Sequence, residues 1–204
     1  MAHLQDKNAV ILTERLHLRT IHPKDLPEIY TIRSLEPILR TSSTLTTTLE
    51  DARVWIGDML ERVGNGQAFT LVIEERHDDA ETAKGDDIAE DNDKMKVIGI
   101  LAAPMIPHVG FCLHTDYWGK GYATEALRAF LPYYFRQVPS AQAEGGFDFM
   151  EAQTYPDNEK SMNVLQKVGF RFVERRERAF NSPLLGFQDA IVWRFARPDS
   201  WEAA

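Results

Sequence analysis

Cysteine is almost absent from this chain: Cys112 is the one such residue in 204. An internal disulfide framework is therefore excluded, and a reducing, cytoplasmic setting is expected. Long apolar runs are missing as well. No stretch approaches the roughly 18 residues that a bilayer span needs, so membrane insertion is not expected. The opening residues, Met1-Ala-His-Leu-Gln-Asp-Lys-Asn8, lack the basic patch and apolar stretch of a secretory leader. Positive charge is in deficit, with 23 Lys and Arg against 31 Asp and Glu. Nucleic acid is accordingly not an expected partner. No internal repeat is evident.

The net charge of −8 is unevenly spread. Between Asp78 and Asp93 lie eight acids and one base, Lys84, while the remaining 23 acids face 22 bases. That segment holds no aromatic residue and one large aliphatic, Ile88, too little apolar surface to offset its ordering entropy. It reads as a solvated, disordered loop at about 77–95 within a single domain spanning 1–204.

What is present is a regular alternation of elements. Val10 to Ile21 reads as a first strand, with alternation at Leu16 and Leu18. His22 to Ser34 places Leu26, Ile29, Tyr30 and Arg33 at helical spacing. A second helix, around Thr47 to Val63, opens with threonine caps and acids. Ala68–Glu74 and Lys96–Ala102 read as a hairpin with an enlarged tip, and Val109–Leu113 as a further strand. A helix from Tyr122 to about Arg136 follows, which Pro132 should end or kink. Phe149–Thr154 reads as a strand, Asn158–Val168 as a helix closed by a left-handed Gly169, and Arg171–Arg176 and Gln188–Ala196 as the last two strands. The order predicts an α/β (α+β) arrangement around one mixed sheet.

Trp118-Gly-Lys-Gly-Tyr-Ala-Thr124 sits between a strand and a helix. A helix start offers unpaired N–H groups and a positive dipole end, and glycines let an anion approach the backbone. Lys120 between the glycines rules out the Gly-x-x-x-x-Gly-Lys-[Ser/Thr] loop, and no third glycine completes a dinucleotide fingerprint. On its own the motif is a tight turn that can bind phosphate.

Its context is more specific. Asp116-Tyr-Trp-Gly-Lys-Gly-Tyr-Ala-Thr-Glu-Ala-Leu127, then Tyr155-Pro-Asp-Asn-Glu-Lys-Ser161 and Gly169-Phe170, with Thr13-Glu-Arg-Leu-His-Leu-Arg19 at the start, resemble the GNAT superfamily of acetyl-CoA-dependent N-acyltransferases. The match looks closest to the branch that includes the ribosomal-protein alanine N-acetyltransferases. The resemblance implies a mostly antiparallel sheet with one splayed strand pair, flanked by helices. It implies an acetyltransferase with acetyl-CoA as cosubstrate and no metal, acting on a small amine or a peptide N-terminus as a monomer or homodimer. A non-catalytic acyl-CoA-binding domain is the alternative.

Carried over residue by residue, the resemblance assigns the pyrophosphate to Trp118, Gly119, Lys120, Gly121, Tyr122, Ala123 and Thr124. Lys120 is either an auxiliary contact or an exposed lysine. The pantetheine arm falls to the backbone around Gly110, Phe111, Cys112 and Leu113, and to Asn158, which also suits a helix cap. The tyrosine that other members place four residues before Gly-Phe is here Leu165, so Ser161 is the candidate general acid. Many relatives carry a glutamate at the strand head where this chain has His108, the candidate base, with Asp116 and Glu151 behind it. The acceptor is expected between Ser34–Thr48 and Phe180–Phe187.

Overall fold

A computed structural model describes residues 8–76 and 95–199. The acidic run expected to be a loop lies outside the described residues. Among those described, eight strands form one sheet: β1 (Val10–Leu12), β2 (Leu16–Thr20), β3 (Phe69–Glu75), β4 (Lys96–Met105), β5 (His108–Leu113), β6 (Phe149–Thr154), β7 (Arg171–Ser182) and β8 (Gly186–Ala196). The helices are α1 (Leu26–Arg33), α2 (Glu36–Thr41), α3 (Leu49–Gly64), α4 (Tyr122–Gln137) and α5 (Glu159–Val168). Spatial order is β1-β2-β3-β4-β5-β6-β8-β7, and β5 and β6 are the parallel neighbours in an otherwise antiparallel sheet.

Strand alternation divides the interior into two layers. On one face Leu71, Ile73, Leu101, Val109, Leu113, Met150 and Ala152 pack against the buried side of α4 and against Leu165 of α5. On the other, Val72, Val97 and Ile100 meet Ile29 and Ile32 of α1 and Ile56 of α3, with Cys112 packed alongside. A bulge opposite Ile73 and Glu74 leaves Ile98 unpaired and resets the alternation of β4. Ile98 and Gly99 therefore both fall in the α4 layer, and Ile100 returns to the α1–α3 layer.

Four details depart from the sequence expectation. The first strand is two, because Thr13 closes a turn in which its hydroxyl accepts from the Leu16 N–H at 2.9 Å. Glu36–Thr41, read as loop, is helical, started by Pro37 in its first turn. Helix α4 runs through Pro132 to Gln137. The lost N–H costs about 3 kcal/mol in a helix interior, and burial of Leu131, Tyr133, Tyr134 and Phe135 around it offsets that cost. The final hairpin is longer than expected at the turn end of both strands, β7 reaching Ser182 and β8 starting at Gly186. Thr48 does cap α3, in a reciprocal box with Asp51, and Gly169 closes α5 at φ 111°.

Gly99 is fixed by packing. A Cβ there would lie 2.3 Å from Leu113 Cδ2 and 2.7 Å from the Cys112 carbonyl oxygen. Gly99→Ala should therefore destabilise the fold by about 2–3 kcal/mol through overpacking. Urea unfolding measures this, and an unchanged midpoint would contradict the packing described.

Candidate active site

Helix α4 begins without a side-chain cap. Its N-cap is Gly121 at φ 85°, and Gly119 stands at φ 77°, a left-handed region that side-chain-bearing residues avoid. A Cβ on Gly119 would meet nothing within 4 Å. The turn is thus shaped by backbone conformation, and its first-turn amides are presented to an anion.

Arg15, from the β1–β2 turn, holds this turn in place. Its Nη1 donates to the Lys120 carbonyl at 3.0 Å, and its Nε and Nη2 donate to Glu125 Oε2 at 2.8 and 2.6 Å. The guanidinium also lies 4.6 Å from the centroid of the Tyr122 ring. Thr13 Oγ1 and the Arg15 N–H donate to the other oxygen of Glu125. Burial pushes the Glu125 carboxyl up, but the Thr13 and Arg15 hydrogen bonds outweigh it and hold the group below its ordinary value. The sequence reading missed this role of Arg15. Its signal was the recurrence of a Thr-Glu-Arg motif and a Gly-Tyr-Ala-Thr-Glu motif in one chain, which the fold brings into contact. Lys120 is exposed, with Nζ 4.9 Å from the Tyr117 ring centroid. Trp118 donates its indole N–H to the Leu113 carbonyl at 2.8 Å, and Lys160 of α5 lies 4.3 Å over its ring.

From this turn a cleft of about 1000 Å³ runs between β5 and β6 to α2 and the β7–β8 hairpin. Its origin is the register. β5 and β6 pair at His108↔Glu151 and Val109↔Ala152 and then separate. Beyond Val109, β5 keeps β4 on one edge, and its other edge faces the cleft with backbone groups available to an amide-bearing chain. Of the residues expected to bind the cofactor, Phe111, Cys112, Leu113, Trp118, Gly119, Gly121, Tyr122, Ala123 and Thr124 line this cleft, and Lys120 does not.

Asn158 and Ser161 line the same cleft from the start of α5. Asn158 caps that helix, its Oδ1 accepting from the Ser161 N–H at 3.1 Å, which leaves its amide NH2 as a donor. The Ser161 side chain is half-buried at the third helical position.

His108 heads β5, next to the last paired position rather than in the cleft lining, with its Nδ1 3.6 Å from Glu151 Oε1. Glu151 is buried and accepts from Arg194 at 2.9 Å and Arg176 at 3.3 Å. Burial pushes its carboxyl up, but the Arg194 and Gln153 hydrogen bonds and the Arg176 and His108 charges hold it below its ordinary value. A carboxylate so committed is a poor proton acceptor at neutral pH. Asp116 stands apart, exposed beside His114. The Cys112 thiol is pushed up to about 11, burial outweighing the pull of Arg33. It is therefore protonated at neutral pH and a weak nucleophile.

Both segments expected to hold the acceptor meet at the far end. Glu36, Arg40 and Thr41 of α2 and Phe180 of β7 line the cleft, and Phe180 stacks edge-on against Tyr155 at 4.9 Å. Ser182 Oγ donates to the Arg40 carbonyl at 3.4 Å, joining α2 to the hairpin. Within the Thr/Ser-rich stretch, Thr44 and Thr46 accept from the buried Arg33, so two of its hydroxyls serve the scaffold.

An uncapped helix start behind two left-handed glycines opens onto a gap between parallel strands, an α/β arrangement that suits a phosphate-bearing, amide-rich ligand. The family model described as an acetyltransferase (GNAT) domain matches residues 15–171, and the chain belongs to that family of acetyl-CoA-dependent N-acetyltransferases. It is 24% identical over 182 residues to the uncharacterized protein YkkB of Bacillus subtilis (strain 168), covering 87% of this chain and 94% of that one. Among solved structures, RimL, a ribosomal L7/L12 alpha-N-protein acetyltransferase in complex with coenzyme A, aligns at TM-score 0.72 and 16% identity over 93% of this chain and 98% of its own. The ribosomal-protein-S5-alanine acetyltransferase of Vibrio fischeri aligns at TM-score 0.69 and 21% identity over 95% and 99%. Among the described residues no group of three or more His, Cys, Asp or Glu could hold a metal ion, and no helix is long and apolar enough to cross a membrane.

The Arg15 contacts predict a measurable dependence. Because its side chain is 43% exposed, each ion pair is screened and individually modest. Arg15→Met should weaken CoA binding about three- to tenfold, or roughly 0.7–1.4 kcal/mol. Calorimetric titration reads this directly, and an unchanged dissociation constant would remove Arg15 from the cradle.

Proposed function

We propose that the protein acetylates a primary amine, on a small molecule or a peptide N-terminus, by direct attack within a ternary complex. The observation that carries this reading is the continuity of the cleft from the helix α4 amides, past the open edge of β5, to the α2 and β7–β8 walls. Acetyl-CoA supplies the acetyl group as a thioester. The α4 amides hold its pyrophosphate, the β5 edge and the Asn158 amide hold the pantetheine, and the carbonyl lies near the point of strand separation.

His108 takes the proton that the acceptor ammonium loses to become the attacking amine, directly or through a water. As the carbon–sulfur bond breaks, Ser161 Oγ gives a proton to the sulfur and recovers, through cleft water, the second proton that the nitrogen sheds as the amide forms. Cys112 lines the cleft, but its raised thiol argues against a covalent acetyl-cysteine route. RimL is named as a ribosomal L7/L12 alpha-N-protein acetyltransferase and the Vibrio fischeri protein as a ribosomal-protein-S5-alanine acetyltransferase, which supports the peptide form of the acceptor. A cytoplasmic location belongs to the same reading and accords with the single cysteine of the chain. Acyl-CoA binding without catalysis is the competing reading, favoured by the histidine at the head of β5 where many relatives carry a glutamate.

A CoA-release assay over a panel of small amines and N-terminal peptides separates the two. Turnover on at least one acceptor is expected, with kcat reduced about 10²-fold by Ser161→Ala and by His108→Gln, at the lower end for lost acid–base catalysis. The KM for acetyl-CoA should change little in either variant. Tight acetyl-CoA binding with no turnover on any amine favours the non-catalytic reading, and full activity in Ser161→Ala removes it as the acid.

A further inference from the structure

Gly110 interrupts β5 with a residue that weakens strands by roughly 0.5–1 kcal/mol relative to alanine. Glycine in a strand needs a reason, and the other glycine of this strand pair has one. Gly99 of β4 is packed so closely by Leu113 and the Cys112 carbonyl that no Cβ fits. Neither reason applies to Gly110. Its φ lies outside the left-handed region, and a Cβ built on it would meet nothing within 4 Å. Gly57 and Gly64 are equally unobstructed, but on the exposed side of α3, whereas Gly110 is exposed inside the cleft.

The register says which side of the sheet this space opens on. Val109, Phe111 and Leu113 point to the α4 layer, so His108, Gly110 and Cys112 share the opposite face, that of α1 and α3. Opposite Gly110 on β4 is Ala102, another small residue, and across the gap the neighbouring strand contributes Glu151 and Gln153 to the same face. Glycine and alanine side by side leave a hollow in the sheet floor, one residue past the last β5–β6 pair. His108 lies two residues away on the same face, about 7 Å along the strand.

We infer that Gly110 is the specificity-determining residue of the acceptor site. The space over it admits the amine carbon chain to the acetyl carbonyl from the α1–α3 face, while the α4 face carries the donor. This rests on the acetyl-transfer reading above. Gly110 is a positioning residue, contributing room rather than chemistry, and a side chain there would exclude acceptors in order of their girth.

Gly110→Ala and Gly110→Val test it, with acetyl-CoA affinity by calorimetry, thermal unfolding, and kcat/KM for ethylamine, phenethylamine and a Ser-Ala-Ala tripeptide. The substitutions meet no backbone strain and add strand propensity, so the midpoint of unfolding should not fall. Acetyl-CoA affinity, which Gly110 serves through its backbone alone, should fall by less than acceptor kcat/KM does. Acceptor kcat/KM should fall by about 10-fold or more in Gly110→Val, consistent with a single extra or missing methylene in an apolar pocket being worth about 10–200-fold. The loss should be smaller in Gly110→Ala and greater for phenethylamine and the tripeptide than for ethylamine. Unchanged acceptor kinetics in Gly110→Val would overturn the proposal. So would a large loss of acetyl-CoA affinity, which would give the space to the donor. A parent chain that binds acetyl-CoA and acetylates none of the three amines, nor any other in the wider panel, would instead overturn the transfer reading.

Discussion

Two parallel strands that pair at two positions and then part impose the constraint around which the site is built. A sheet interior ordinarily satisfies every backbone N–H and C=O through its neighbours, and unpaired groups shielded from water are costly. Here the edge of β5 beyond Val109 and the edge of β6 beyond Ala152 face a gap. β4 holds β5 on one side and β8 holds β6 on the other, so neither strand can shift to close it. The gap is a consequence of sheet order, and a ligand rich in amides matches it.

The remaining parts are set against that gap. α4 starts at its mouth with free amides, α5 starts alongside with Asn158 as cap, and the β1–β2 turn reaches over to tie the N-terminal strands to the start of α4. Arg15 is central to that tie, because one guanidinium joins the Lys120 carbonyl, the Glu125 carboxylate and the Tyr122 ring. Tyr122 in turn donates its hydroxyl to Glu75 at the end of β3. The cradle is thus positioned by Arg15, more than a hundred residues away in sequence, and by Glu75, 47 residues away. On the opposite face, the buried Glu151 with Arg176 and Arg194 ties the paired end of β6 to the β7–β8 hairpin.

Much of this was legible because local signals coincide with tertiary ones. The α3 cap at Thr48, the left-handed Gly169 and the apolar spacing of α4 each had a local cause that the fold retained. Pro132 misled for a physical reason: its local cost is real, and the buried aromatics that follow it outweigh that cost. The short helix α2 was missed because it is six residues long and secured by a tertiary contact, Ser182 to the Arg40 carbonyl. In the site, the glycines and Asn158 were assigned from the resemblance of their motifs to those of the family. The grip of Arg15 on the cradle, the commitment of Glu151 to two arginines and the empty space over Gly110 depend on which strands are neighbours, and no local pattern encodes that.

The central claim is that the separated edges of β5 and β6 receive the donor's amide-bearing arm. Amide hydrogen exchange with and without acetyl-CoA tests it most directly, read over residues 110–113 and 153–154. Protection there on binding, together with slowed exchange at the first turn of α4, is the expected result. Protection confined to the α4 turn, with the two strand edges exchanging as fast as in the free protein, would contradict it.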